Sequence, residues 1–275
     1  MLAGITDTVT LANGVHMPWL GLGTYKSLEG DAERAVLAAL ELGYRGIDTA
    51  SFYKNEADIG SAVTASGVPR TDLFLATKVW NDEQGYDAAL AACARSLQRL
   101  RTDYLDLYLV HWPQQETPAT WRALERLYSE GVVRAIGVCN HLVHHLEELS
   151  AAAGILPMVN QFECHPWLQR ADVLAYCHEH GIVAQAWSPL MKGRADEEPV
   201  LVDIAHAHDA TASQVALRWL LQRGMSVIPK SVHPERIAEN ADVFAFELSA
   251  GEMDAIAAAD RGQNLGPHPD RFPER

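Results

Sequence analysis

Eight short apolar runs in this 275-residue chain each end on, or lead into, a polar or charged residue. Thr24 comes after Trp19–Leu22, Asp48 ends Gly46–Asp48, and Lys78 comes after Leu73–Thr77. His111 comes after Leu105–Val110, Asn140 after Val133–Val138, and Gln161 ends Pro157–Gln161. Ser188 comes after Ile182–Trp187 and Lys230 after Met225–Pro229. A carboxylate, an ammonium and an imidazole are groups that move protons, and amides and hydroxyls fix polar ligands by hydrogen bonds. Any one of them is unremarkable alone; the set implies a shared site.

Such residues meet only if the runs are strands with their ends at one face. Between the runs lie helical stripes: Ala35, Val36, Ala39 and Leu40; Leu90, Cys93, Leu97 and Leu100; Trp121, Leu124 and Tyr128. Two more are Leu142, Leu146 and Leu149, then Val215, Ala216, Trp219 and Leu220. That spacing keeps each set on one helix face. Gly43, Gly131 and Gly181 fall between a helix and the next strand, where a left-handed cap is expected. Strands alternating with helices predict a closed parallel (β/α)8 TIM barrel, whose site gathers at the strands' C-terminal ends. An open dinucleotide-binding sheet is disfavoured, because Gly21-Leu22-Gly23 continues Thr24-Tyr25-Lys26 without the third glycine of that fingerprint. Ahead of the barrel, Thr8–Ala12, Asn13-Gly14 and Val15–Met17 predict a hairpin with a two-residue turn. No linker or shift in composition divides the chain, so residues 1–275 read as one barrel domain.

The formal charge of −14 argues against nucleic acid or an anionic membrane as partner. No run approaches the roughly 20 apolar residues of a membrane span, and the N-terminus lacks a secretory signal's pattern. The four cysteines form no CxxC pair and read as reduced thiols in a cytoplasmic protein. Twelve histidines raise the question of a metal. His141, His144 and His145 form HxxHH and Cys164 precedes His165, but HExxH and paired-cysteine spacings are missing. His178/His180 and His206/His208 are i,i+2 pairs that cannot share a helix face. No metal is expected. A barrel glycosidase using Asp48 and Glu163 would leave Lys78, Lys230 and Arg236 without work.

The segments Gly43–Ala50, Tyr53–Glu56, Ala76–Trp80, Leu109–Pro113, Gly137–Asn140, Asn160–Glu163 and Ile228–Ser231 together resemble the aldo-keto reductase family. The likeness covers almost the whole chain, in order. It implies NADPH-dependent reduction of aldehydes or ketones, with the catalytic tetrad on Asp48, Tyr53, Lys78 and His111. Each type suits its post. A free tyrosine with pKa near ~10 is a reluctant acid or base at neutrality, and a neighbouring Lys78 cation would lower that value. Asp48 would hold Lys78, and His111 would orient the carbonyl oxygen. Taken singly, Tyr53 reads as a packed loop aromatic, Asp48 with Lys78 as a structural ion pair, and His111 as a core histidine.

The resemblance also implies a cofactor site. Asn140 and Gln161 would bind the nicotinamide amide and Trp187 would stack on its ring, with Thr24, Asp48, Cys139, Ser188 and Leu190 nearby. Cys139 stands where serine is common, and His141 where phenylalanine is frequent. Lys230, Ser231, Val232 and Arg236 would hold the 2′-phosphate side, and Glu239 and Asn240 the adenine. Two cations there favour NADPH over NADH, although His233 departs from the threonine or arginine often found. Tyr25, Phe52, Trp80 and Trp112, with His111, would line an apolar pocket for small or aromatic aldehydes and α-ketoaldehydes. Trp121 and Trp219 read as core. The tail beyond Asp260 reads as too short to reach far over the pocket, and Asn264–Pro269 resembles a bacterial branch of diketogluconate and methylglyoxal reductases. A monomer is expected. The alternative is an NADPH-binding redox-sensing or regulatory barrel without significant turnover.

Overall fold

The computed structural model describes residues 2–28 and 30–272. Eight parallel strands follow one another round the sheet in chain order: β3 (Gly21–Gly23), β4 (Gly46–Asp48), β5 (Phe74–Val79), β6 (Leu107–Val110), β7 (Ile136–Cys139), β8 (Val159–Glu163), β9 (Val183–Trp187) and β10 (Ser226–Val227). Parallel bridges Leu20–Val227 and Gly23–Lys230 join the last strand to the first. The sheet thus closes into the expected (β/α)8 barrel. Strands walled on both sides need apolar residues throughout, and all six residues of β5 are buried.

Helices α1 (Asp31–Glu41), α2 (Glu56–Ala65), α3 (Tyr86–Leu100), α4 (Thr117–Ser129), α5 (Val143–Ala152) and α6 (Ala171–Glu179) follow β3 to β8 in turn. Two helices follow β9, α7 (Pro199–Ala207) and α8 (Ala212–Gln222), and two follow β10, α9 (Pro234–Ala241) and α10 (Ala250–Ala257). Their apolar stripes face the barrel, and Trp121 and Trp219 are each 1% exposed, as the stripes imply. Burying such a side chain contributes about 1.5–3 kcal/mol. Leu142 lies one residue outside its predicted helix, as the N-cap of α5.

The hairpin forms, but its turn differs from expectation. β1 (Thr8–Thr10) pairs antiparallel with β2 (His16–Pro18) in the register Thr10–His16. Leu11 and Val15 still bond across the loop (Leu11 N–H to Val15 O, 2.8 Å), leaving three residues between them. Only Gly14 has positive φ, at 86°. This is a three-residue loop with glycine in the left-handed position, rather than a two-residue turn needing positive φ at both residues. No helix among the described residues is long and apolar enough to cross a membrane.

Candidate active site

Lys78 is among the largest fully buried side chains, and a buried ammonium demands a partner. Its Nζ lies 2.5 Å from Asp48 Oδ1 and donates to Thr49 O at 2.7 Å. The other Asp48 oxygen accepts from Gln161 Nε2 at 2.8 Å. Gln161 Nε2 also donates to Gln185 Oε1, and Gln185 Nε2 to Ser226 Oγ. A chain of polar side chains therefore crosses the barrel interior from the mouth inward.

Tyr53 ends a single 3-10 turn, Ser51–Tyr53, beyond β4. Its ring centroid is 5.3 Å from Lys78 Nζ. Asn55, 1% exposed, fixes this turn to the neighbouring loop by donating to Thr24 O and Ser27 O and accepting from Thr49 Oγ1. Ser51 Oγ ties it on the other side to Glu83. Burial pushes the Tyr53 phenol above its ordinary value, and Lys78 pulls it back only in part. The sequence-based expectation of a lowered value therefore does not describe this state, because desolvation outweighs the cation. Burial also acts to push Lys78 down, but Asp48 and Tyr53 more than offset it and hold the ammonium above its usual range. His111 is pushed well below its ordinary value by burial and then by Lys78, so its imidazole is neutral. Its Nδ1 is buried without a hydrogen-bond partner among the described residues.

Aromatic rings wall the space above. Phe52 stacks on Trp80 at 3.9 Å, and Trp80 meets His111 edge-on at 4.9 Å. Tyr25 tilts against Tyr53 at 5.0 Å. Trp112, 6% exposed, packs against Phe272 at 4.5 Å, and Phe272 also meets Trp80 at 6.1 Å. Phe272 overturns the expectation that the tail is too short to reach far over the pocket. The twelve described residues beyond Asp260, 261–272, hold no α-helix, and extended chain covers roughly 3.3 Å per residue against 1.5 Å for a helix. A backbone bond from Gln263 N–H to Trp167 O (2.9 Å) and a side-chain bond from Gln114 Nε2 to Phe272 O (3.2 Å) track its course across the mouth.

The residues assigned to the cofactor lie at the next strand ends, in the loops after them and on α9. Asn140 (φ 61°) and Ser188 (φ 52°) both take left-handed backbone, which Asn tolerates and serine rarely adopts. Asn140 Oδ1 accepts from Trp187 Nε1 at 2.8 Å, and its Nδ2 donates to His111 O at 2.9 Å. The Cys139 thiol is turned inward, 3.8 Å from Gln161 Oε1. His141 is buried against Cys139 O, and burial pushes its imidazole down to about 3. Thr24 Oγ1 is engaged by Asp48 O. Leu190 is half-buried in the loop after β9. Lys230 and Arg236 are exposed, with Ser231 buried and Val232 half-buried between them. Asn240 is 4% exposed, and Glu239 accepts from Thr211, the N-cap of α8.

The remaining nucleophiles and histidines lie elsewhere. All four cysteines are free and buried, and burial pushes Cys93, Cys164 and Cys177 up to about 12. His144, His145 and Asp270 bring their ligand atoms within 4.8 Å of one another. His145 Nδ1 accepts the Leu142 N–H, however, so its Nε2 carries the proton that faces Asp270 Oδ1 at 3.3 Å. That geometry ties the tail to α5.

Sequence reasoning missed Phe272, Asn55 and Gln185. Asn55 follows Tyr53 by two residues inside a motif already singled out, whereas nothing in the tail's pattern marks Phe272.

A model of the aldo/keto reductase family matches residues 19–261. The chain is 52% identical over 274 residues to the glyoxal reductase of Bacillus subtilis (strain 168), covering 99% of each chain. It is 45% identical over 270 residues to the methylglyoxal reductase DkgA of Yersinia pestis, covering 96% of each. The crystal structure of MGS-M4, an aldo-keto reductase from a Medee basin deep-sea metagenome library, matches with a TM-score of 0.94 at 45% identity, over 96% of this chain and 98% of that one. The chain belongs to the aldo/keto reductase family and is an oxidoreductase with that family's NADPH-dependent carbonyl reduction.

Proposed function

We propose that this enzyme reduces small aldehydes and α-ketoaldehydes to alcohols, with Tyr53 as the proton donor. The observation that carries the reading is Tyr53 beside the buried Asp48–Lys78 pair, facing a neutral His111 beneath an aromatic wall. Glyoxal and methylglyoxal reductases among the similar proteins support the substrate class.

The donor set suits NADPH. Asn140 and Gln161 offer amides for a carboxamide, and Trp187 a partly exposed ring for stacking. Lys230 and Arg236 fall outside the ion pairs formed among the described residues, in a chain of charge −14. Partial burial, and Lys26 beside it, push the Lys230 ammonium down although Asp31 opposes them. A phosphate there would relieve that penalty. NADPH, when bound, supplies the hydride that the carbonyl carbon accepts.

The chain's own groups handle the oxygen. Neutral His111 donates a hydrogen bond and orients the carbonyl. The Tyr53 phenol, kept protonated by burial, gives its proton to the oxygen as negative charge develops, because an alkoxide is a stronger base than phenolate. Lys78 stabilises the phenolate left behind, and Asp48 keeps Lys78 charged and in place. Tyr25, Phe52, Trp80, Trp112 and Phe272 exclude water and receive a small apolar substituent. All these groups come from one chain, which supports a monomer as the working unit.

The test follows NADPH consumption with methylglyoxal and with an aromatic aldehyde. Tyr53→Phe is expected to lose at least about 100-fold in kcat, the scale of general acid catalysis, while still binding NADPH. Tight NADPH binding by the parent without turnover of either aldehyde would count against this reading and for a regulatory barrel.

A further inference from the structure

Glu163 has no part in the reaction above, yet it is 3% exposed at the edge of the site. It ends β8 and stands in register beside Trp187, the last residue of β9. A buried carboxylate must find donors, and the tail supplies most of them. Oε1 accepts the N–H groups of Leu265 (2.9 Å) and Gly266 (2.8 Å) and lies 3.3 Å from His165 Nε2. Oε2 accepts from Asn264 Nδ2 at 3.0 Å. Burial would raise this carboxyl, but His165 and the tail donors outweigh it and hold it below the usual range, so Glu163 stays ionised.

The clamped segment presses on the indole. A Cβ on Gly266 would lie 2.4 Å from Trp187 Cη2 and 3.0 Å from Cζ3, inside any carbon–carbon contact. The far edge of the indole is fixed by the bond from Nε1 to Asn140 Oδ1. Lys192, in the loop after Trp187, donates to Leu265 O and binds the same tail segment from outside. Trp187 is therefore held between the tail backbone and the Asn140 amide, and Glu163 sets where that backbone lies.

We propose that Glu163 is a positioning residue of the nicotinamide site, acting through residues 264–266 to fix the plane of Trp187. The inference rests on the reading of Trp187 as the ring that stacks on nicotinamide.

The experiment measures NADPH binding by fluorescence, with kcat and KM for methylglyoxal, in Glu163→Gln, Glu163→Ala and Gly266→Ala. Gly266→Ala, which keeps the carboxylate clamp, is expected to weaken NADPH binding about 10-fold, or about 1.4 kcal/mol, with KM for the aldehyde within about 2-fold of the parent. Glu163→Ala should match it, and Glu163→Gln should lose only about 3-fold, since one acceptor oxygen remains. The decisive comparison repeats Gly266→Ala in a Trp187→Ala background, where the new methyl meets no ring and the further loss should fall below about 2-fold. An equal loss in both backgrounds would mean that the tail acts without the indole and would overturn the proposal. So would parent-like binding by all three variants alongside normal turnover by the parent. Failure of the parent itself to bind NADPH would instead overturn the reading of the site, and this inference with it.

Discussion

Around Asp48 the barrel interior is saturated with hydrogen bonds; around Lys230 it is open to solvent. The Asp48 carboxylate is shared between Lys78 and Gln161, and Lys78 is wholly buried. Lys230 and Arg236 lie exposed at the rim beyond β10, outside the ion pairs formed among the described residues. In the proposed reaction the two regions divide the work. Groups that must hold one geometry through a proton transfer are locked in place before substrate arrives, as electrostatic preorganisation requires. The rim cations proposed to attract a phosphate stay exposed and free to move until the anion binds.

Lys78→Met strikes the locked region hardest. It strands a buried carboxylate on a single amide donor, and an unfolding curve should show a loss of about 3–5 kcal/mol. Combining it with Asp48→Asn should return part of that stability while activity stays lost, because the orphaned charge is gone. If the single variant were as stable as the parent, the interior would be wetter than its packing implies.

The second test is pH. His141 is neutral when folded, with a value of about 3, against roughly 6.5 unfolded. Its folded value is depressed, so the stability it contributes is complete above pH 6.5. That contribution falls as the unfolded state takes up a proton and the folded state does not. At pH 5 the parent should have lost about 2 kcal/mol through this residue alone, and His141→Asn should flatten the slope between pH 7 and 5. His111 acts in the same direction. Urea titrations at the two pH values measure the difference.

The rim gives the smallest effects on the fold. Lys230→Met and Arg236→Met should each raise KM for NADPH about 10-fold, or about 1.4 kcal/mol, leave KM for NADH unchanged, and shift stability by less than about 0.5 kcal/mol. The loss should shrink as salt rises. A comparable loss with NADH would move the phosphate site elsewhere.

The barrel was legible because its signal is local. Each run's apolar alternation with helical stripes fixes an element, and eight elements in order fix the closure. The polar strand ends were legible for the same reason, since a barrel brings that face together whatever the loops do. The hairpin turn was misjudged because Asn13-Gly14 fits two turn types, and the choice between them rests on the Leu11–Val15 pairing, which the pair of residues does not encode. Cys139 was placed beside the cofactor by the resemblance, and its thiol faces Gln161, a residue of the same assignment. The tail was misread for a deeper reason. Its path is set by Glu163, Trp167 and Gln114, about 100 or more residues earlier in the chain, and no periodicity records those partners.

The burial of all four thiols has a chemical consequence. α-Ketoaldehydes are electrophiles, and they add fastest to thiolates. With Cys93, Cys164 and Cys177 held protonated up to about 12 and out of solvent's reach, the enzyme offers its proposed substrates no soft nucleophile of its own while folded. The packing that fills the core thereby also keeps these thiols from adding to the α-ketoaldehydes proposed as substrates.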